Sequence, residues 1–276
     1  VKFDELADLG RVDNMPAAEY HAIDACSSSA LRGCLRNPAK YRHMALTGLS
    51  GDSIDFGSTV HAMACEQFDE ECAIWEGRRD KRVKAYQEFL EANKGKTIIT
   101  PKMYDQAAAA WVELQHAVKS SPDANHILDG DTEVSLFWVE TVILSDGSEE
   151  QIPCKARADV LNTERKFLTD VKTAKDASPY GFKRAVKSWN DIPGYDVQAG
   201  WYIRGCERVL DERAHWQFYF AAVENKAPFC ASTHIIDENY LTDTVHDLVH
   251  LGLQKWADCW ISGVWPGYDN RLNWIL

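Results

Sequence analysis

The sequence predicts an α/β chain: a mixed central sheet flanked by helices and preceded by an N-terminal helical portion. Three observations lead there. Residues 1–125 carry helix caps and helix-type patterning. Residues 132–173 are dense in β-branched and aromatic side chains interrupted by turn residues. Beyond them come two helices, two strands and a closing helix. No internal repeat, low-complexity tract or linker divides the chain. It therefore reads as a single domain over 1–276, with a mainly helical portion (1–125) and a sheet-containing core (126–276).

The elements follow in order. Ser27-Ser28-Ser29 can cap a helix carrying Leu31, Cys34 and Leu35, which stops near Asn37-Pro38. Pro38 opens a short second turn through Tyr41 and Met44. Residues 48–53 hold two glycines, two serines and an aspartate, so they read as a loop. A helix is expected over 55–68 with His61 in it, and another over 78–92. Thr100-Pro101 places a cap residue before a proline at the first helical position, and that helix runs to about Lys119. Thr132–Leu144 and Gln151–Leu161 read as strands joined by Ser145-Asp146-Gly147-Ser148, a hairpin turn. Phe167–Thr173 is the third strand of this meander. Helices are expected at Tyr180–Ser188 and Asp196–Leu210, strands at Trp216–Val223 and Phe229–Ile236. A last helix, Leu241–Ile261, aligns Val245, Leu248, Val249, Trp256 and Trp260 on one stripe.

Composition narrows the classes. A chain of 276 residues with 45% hydrophobic and 26% charged residues is ordinary globular material. No stretch reaches the roughly 18 apolar residues that span a bilayer, and Val1-Lys2-Phe3-Asp4-Glu5 has no apolar signal core. No membrane partner is expected, and the chain reads as soluble and intracellular. Its eight cysteines form no C-x-x-C pair, which argues against a zinc ribbon, and they read as small buried hydrophobes. The net charge of −12 speaks against a uniformly nucleic-acid-binding surface. Two local runs depart from that average. Residues 78–84 hold five basic residues (Arg78, Arg79, Lys81, Arg82, Lys84) against Asp80. Residues 172–187 hold five more, among them Lys183 and Arg184, against Asp176. Taken singly, each run reads equally well as a solvated helix face.

The chemistry-bearing residues lie in the meander. Asp159 is near the end of its strand, and Asp170-Val171-Lys172 begins the exit from the next. A short turn between antiparallel neighbours can set Asp159 beside Asp170. Alternation puts Asp170 and Lys172 on one face and Val171 in the core. Two carboxylates and a backbone carbonyl suit a hard divalent cation. Such a cation polarises a phosphate and acidifies a water, while a nearby lysine orients that water or stabilises developing charge. D-x-K by itself is common and reads equally as an ion pair across a hairpin.

Other segments add to the pattern. Gly57-Ser-Thr-Val-His61 lies upstream, and Gln198 and Tyr202, four apart, share a helix face downstream. The order H…D…D-x-K…Q-x-x-x-Y resembles the PD-(D/E)xK nuclease superfamily. Within it, the chain is similar to the RecE-type exodeoxyribonucleases (exodeoxyribonuclease VIII) and their phage relatives. Tyr20-His21-Ala, Ser-Ser-Ser-Ala-Leu31, Asn37-Pro-Ala-Lys-Tyr41 and Phe56-Gly57 through His61 carry the likeness over about Glu19–Tyr202. Ala158 stands where the superfamily name has Pro.

The resemblance implies a restriction-endonuclease-like core and Mg²⁺-dependent exonucleolytic cleavage of linear double-stranded DNA from its ends. The 5′-ended strand would be degraded and a 3′ single strand left for recombination. Mn²⁺ would substitute for Mg²⁺. Asp159, Asp170 and the Val171 carbonyl would hold the metal, Lys172 would position the water, and His61 would approach as a ligand to a second cation. Gln198 and Tyr202 would support the site or touch the DNA backbone. A homo-oligomeric ring, a single-strand annealing partner and the cytoplasm of a bacterial or phage-infected cell also follow. An endonuclease, a single-strand-specific nuclease and a non-catalytic DNA-binding protein of the same fold remain alternatives. Glu66 and Glu140 are candidates for an additional glutamate. His246-Asp-Leu-Val-His250 is a near miss to the zinc-peptidase motif with Asp in place of the general-base Glu, so it reads as surface or half-buried histidines.

Overall fold

A computed structural model describes residues 3–48, 50–189, 192–210 and 214–268. Leu49, inside the loop read over 48–53, lies outside them. The N-terminal portion runs α1 (Phe3–Leu9), β1 (Arg11–Val12), α2 (Ala17–Ala22), α3 (Ser28–Arg36), α4 (Pro38–Thr47), α5 (Asp52–Ala64) and α6 (Phe68–Glu71). Then come β2 (Cys72–Ile74), α7 (Lys84–Ala92), β3 (Thr97–Ile99) and α8 (Pro101–Ser120). The core follows with β4 (Asp131–Ile143), β5 (Glu149–Asn162), β6 (Phe167–Ala174), α9 (Pro179–Val186), α10 (Asp196–Val209), β7 (Gln217–Glu224) and β8 (Ala231–Ile235). Short α11 (Glu238–Tyr240) continues through a π-helical turn, Leu241–Val245, into α12 (His246–Ser262).

Capping explains the best-predicted starts. Ser27 Oγ accepts from the Ala30 amide, Asn37 Oδ1 from Lys40, and Thr100 Oγ1 from Met103, the last two ahead of a proline in the first turn. The helix expected over 78–92 begins only at Lys84. Asp80 accepts from the Arg82 amide and clasps its guanidinium, a local turn that competes with helix. The helix expected to reach Phe68 ends at Ala64, where Glu66 adopts a φ of 58°. The parallel pair β2–β3 and the elements α1, β1 and α2 had no counterpart in the sequence reading.

The main sheet has the order β1-β4-β5-β6-β7-β8; β6 and β7 are parallel and the other pairs antiparallel. The parallel pair is bridged by α9 and α10, the crossover that parallel strands require. Helices cover both faces. On one, α3, α10 and α12 pack Leu31, Trp201 and Trp256 against Leu136, Leu168, Phe218 and Phe220. On the other, α5 and α8 pack Phe56, Val60 and Leu114 against Phe167, Val171 and Tyr219. This is the restriction-endonuclease-like arrangement expected. None of the eight cysteines is in a disulfide, and all but Cys230 are buried. Among the described residues no helix is long and apolar enough to cross a membrane.

Candidate active site

The site forms where the sheet opens. The ladder between β5 and β6 pairs only Val160–Thr169, Leu161–Leu168 and Asn162–Phe167. Asp159 and Asp170 therefore stand at the first unpaired rung. Asp159 Oδ2 accepts the Val171 amide at 2.7 Å, which ties the end of one strand to the other. Val171 is buried in the α5–α8 core. Asp170 and Lys172 project the other way, and the Lys172 ammonium meets Asp170. The expected convergence is present.

Helix α5 brings His61. Gly57 lets that helix approach β6: a Cβ there would come within 2.9 Å of Thr173 Oγ1. His61 Nε2 lies 3.0 Å from Asp159 Oδ1 and 3.2 Å from Glu133 Oε1. Helix α10 brings Gln198, whose amide donates to Asp170 Oδ1. That helix is anchored by Trp201, fully buried, whose indole donates to the Lys155 carbonyl. Its start is fixed by buried Asp196, which accepts from Ser188 and from the Tyr240 hydroxyl. Tyr202, one turn beyond Gln198, is buried with its ring edge-on to Phe218 of β7, so it packs α10 onto the sheet.

Glu133 and Cys65 join the site without having been singled out. The β4–β5 register pairs Thr132 with Val160 and Val134 with Ala158, so Glu133 is level with Asp159. Glu133 has a φ of 55° and is 2% exposed; its second oxygen is held by Arg157. Cys65, one turn after His61, sets its thiol 3.9 Å from His61 Nε2. The two glutamates considered earlier are elsewhere. Glu66 is exposed beyond the end of α5. Glu140 is bound by Arg204, Arg208 and the Trp138 indole.

The electrostatics follow from burial of three anions with three cations. Burial opposes charge on His61, but the charge and hydrogen bond of Asp159 outweigh it and hold the imidazole well above its usual value. Burial likewise works against Asp159, yet His61 and Lys172 bring it below the usual carboxylate range. Asp170 is pushed up to about 6, by burial first and by Asp159 in addition, against the pull of Lys172. Lys172 stays charged because Asp170 and Asp159 exceed the cost of its burial.

The two basic runs fall differently. Lys183 and Arg184, on α9, line a cleft with Arg32, Lys187 and the exposed rings of Tyr180 and Trp189. The cleft reaches the centre through Tyr195, whose ring lies 4.5 Å from the Arg32 guanidinium and 5.2 Å from Lys172 Nζ. The loop of Arg78, Arg79, Lys81 and Arg82 is not drawn to the centre. Arg79 donates to the Ile98 carbonyl beside the small sheet, and Arg82 is spent on Asp80. The His246–His250 pair faces itself, Nε2 to Nε2 at 3.1 Å, with Arg204 beside His250.

Fold and site together define a core of the PD-(D/E)xK nuclease superfamily: a mixed sheet between helices, with D…D-x-K delivered at an opened rung. The chain belongs to the family described as "PDDEXK-like domain of unknown function (DUF3799)", whose model matches residues 27–275. It is similar in fold to a solved protein of Eubacterium rectale described as a "putative exonuclease", with a TM-score of 0.59 and 14% identity over 96% of each chain. A second solved structure, that of SSO0001, aligns with a TM-score of 0.36 and 11% identity over 83% of this chain and 77% of that one. No curated protein sequence matches.

Proposed function

We propose that this chain is a divalent-metal-dependent deoxyribonuclease that degrades linear double-stranded DNA from its ends, 5′ to 3′, leaving 3′ single strands for recombination. The observation that carries the reading is the convergence of Asp159, Asp170 and Lys172 on one opened rung of the sheet. The RecE-type direction of cleavage rests on the motif order from His61 to Tyr202.

The residues fit a hard cation. Asp170 Oδ2 and Glu133 Oε1 are buried without a well-formed hydrogen bond, each compensated only by a neighbouring cation, Lys172 and His61 respectively. Buried carboxylate oxygens left this way are the donors that Mg²⁺ and Mn²⁺ take. Asp159, Asp170 and the Val171 carbonyl would hold the ion, and Glu133 and His61 adjoin them through Asp159. When bound, the ion supplies Lewis acidity to a phosphodiester and lowers the pKa of a water.

The chain's own groups do the rest. Lys172, held protonated, donates a proton-bearing ammonium toward a phosphate oxygen or the attacking water and stabilises the negative charge that develops. Gln198 fixes the rotamer of Asp170, and the Val171 amide fixes Asp159, so both carboxylates are oriented before substrate arrives. The α9 cleft supplies cations for phosphates and flat rings for bases, and Tyr195 connects it to Lys172. A closed ring would gather such basic clefts around DNA despite the net charge of −12, and a single-strand annealing protein would take over the 3′ strand.

The deciding experiment incubates end-labelled linear duplex with Mg²⁺, wild type against Lys172→Ala, beside closed circular duplex. Mononucleotide release from linear DNA, lost in Lys172→Ala and in EDTA, is expected. Cleavage of the circle would make the chain an endonuclease. No cleavage of any duplex or single strand with Mg²⁺ or Mn²⁺ would refute the catalytic reading.

A further inference from the structure

Asp159 divides the centre into two halves. Its Oδ2 belongs to the strand side, with Val171, Asp170 and Lys172. Its Oδ1 belongs to the helix side, where it meets His61. The helix side has a different donor chemistry. Cys65 caps the C-terminus of α5 one turn after His61, and their side chains meet on the same side. Facing them is Glu133 Oε1. His61 Nε2 is 3.9 Å from Cys65 Sγ and 3.2 Å from Glu133 Oε1, and the three donor atoms all lie within 4.8 Å of one another.

These separations suit a small four-coordinate ion. With bonds of about 2.0–2.3 Å to nitrogen, oxygen and sulfur, a tetrahedral ion spaces its ligand atoms by roughly 3.3–3.8 Å. The 3.9 Å and 3.2 Å separations fall close to that interval before any adjustment, and Asp159 Oδ1, 3.0 Å from the same imidazole nitrogen, borders the set. Mg²⁺ does not seek a thiolate, whereas zinc-class ions do. Among the described residues this is the one set of three His, Cys, Asp or Glu donors close enough to share an ion.

We propose that His61, Cys65 and Glu133 form a site for a thiophilic divalent metal of the zinc class, which meets the hard-cation site at Asp159. On binding, the imidazolium and thiol protons leave to solvent and the ion takes their place. Filling this site draws Asp159 and Glu133 toward the helix side and away from Asp170. Zn²⁺ therefore opposes the Mg²⁺-loaded state. The metal site stands on the geometry alone; the opposition to Mg²⁺ rests on the nuclease reading above.

The test uses the full chain, freed of metal with EDTA and titrated with Co²⁺ as the spectroscopic probe. One equivalent is expected to give a near-ultraviolet thiolate charge-transfer band together with the strong visible bands of four-coordination, both erased by Zn²⁺; excess Mg²⁺ weakens Co²⁺ binding, by reciprocity, without changing the bands of the Co²⁺ that stays bound. Cys65→Ser should remove the charge-transfer band and weaken Co²⁺ binding by more than about tenfold, while Cys230→Ser and Asp170→Asn should keep it. Zinc X-ray absorption on the wild-type chain gives a reading independent of any variant, and one sulfur ligand is expected. Binding without a thiolate band, a band that survives Cys65→Ser, or zinc with no sulfur neighbour would each overturn the site. Cleavage assays are scored separately. If the nuclease reading holds, Zn²⁺ inhibits the wild type and at least tenfold more is needed against Cys65→Ser. A chain that binds Co²⁺ as stated but cleaves nothing would sink the nuclease reading and leave the metal site standing.

Discussion

Glu133→Gln removes one buried carboxylate charge, paired with Arg157 and facing His61, with almost no change of shape. Glu133 is 2% exposed and its Arg157 partner 8% exposed. Apart from the Nε contact to Glu133, the Arg157 terminal nitrogens are buried with no hydrogen-bond partner. Removing the carboxylate charge thus strands a guanidinium in the interior. Breaking a buried pair from one side costs about 3–5 kcal/mol. The glutamine carbonyl recovers about 1 kcal/mol as a neutral acceptor. Relief of repulsion with Asp159 and loss of the His61 contact oppose one another, so a net loss of roughly 2–4 kcal/mol is expected. The assay is reversible urea unfolding, metal-free, on wild type, Glu133→Gln, Arg157→Met and the double variant. The double variant should recover most of the loss, because it leaves neither charge unpaired, giving a coupling energy above about 1 kcal/mol. A Glu133→Gln protein as stable as wild type, or two single effects that simply add, would refute the argument that this pair compensates charge in the opened rung.

Four further expectations are open to measurement. Mn²⁺ should raise the thermal midpoint of the wild-type chain, and Asp170→Asn should abolish that shift in a dye-monitored melt with and without EDTA. Glu140→Gln removes the carboxylate against which the Arg204 guanidinium is buried, and should cost about 2–4 kcal/mol in urea unfolding while leaving DNA cleavage unchanged at temperatures where the variant is folded. Burial pushes the Cys34 thiol up to about 12. In the unfolded chain it ionises near 8.5–9. Between those values the folded state holds the extra proton, so stability falls as pH rises. Cys34→Ala should flatten that fall by about 1.4 kcal/mol per pH unit in reduced protein unfolded at pH 9.5 and 10.5. Alanine at Lys183 or Arg184 should weaken DNA binding in EDTA and lower the salt slope by about 0.7–0.9 each, read by fluorescence anisotropy at several salt concentrations.

The meander was legible because each of its strands carries its own local signal. β-Branched alternation marks β4 to β6, Asp146-Gly147 marks the first turn, and Asp159 and Asp170-Val171-Lys172 fall in strands whose pairing follows from short connections. Helices with a cap residue before proline were equally plain. Glu133 was not, because nothing in Asp131-Thr-Glu-Val marks it. Its place depends on the β4–β5 register and a positive φ, which are tertiary facts. Cys65 had a usable signal, four residues after His61, but a cysteine in a reduced chain reads first as core. The run at 78–84 shows the opposite failure. Its composition suits a charged helix face, yet one aspartate side chain, Asp80, captures the backbone and holds the segment in a turn. The two-residue β1 and three-residue β2 and β3 are too short for any periodicity to register.

Val171 is wedged among Phe56, Val60 and Tyr219 while its neighbours on either side carry the charges. Slide β6 by a single position and a carboxylate or an ammonium would enter that oil-like layer while a valine surfaced at the cleavage centre. The hydrophobic layer thus proofreads the chemistry. A chain that seats Val171 in that layer has, in the same act, aimed Asp170 and Lys172 the other way.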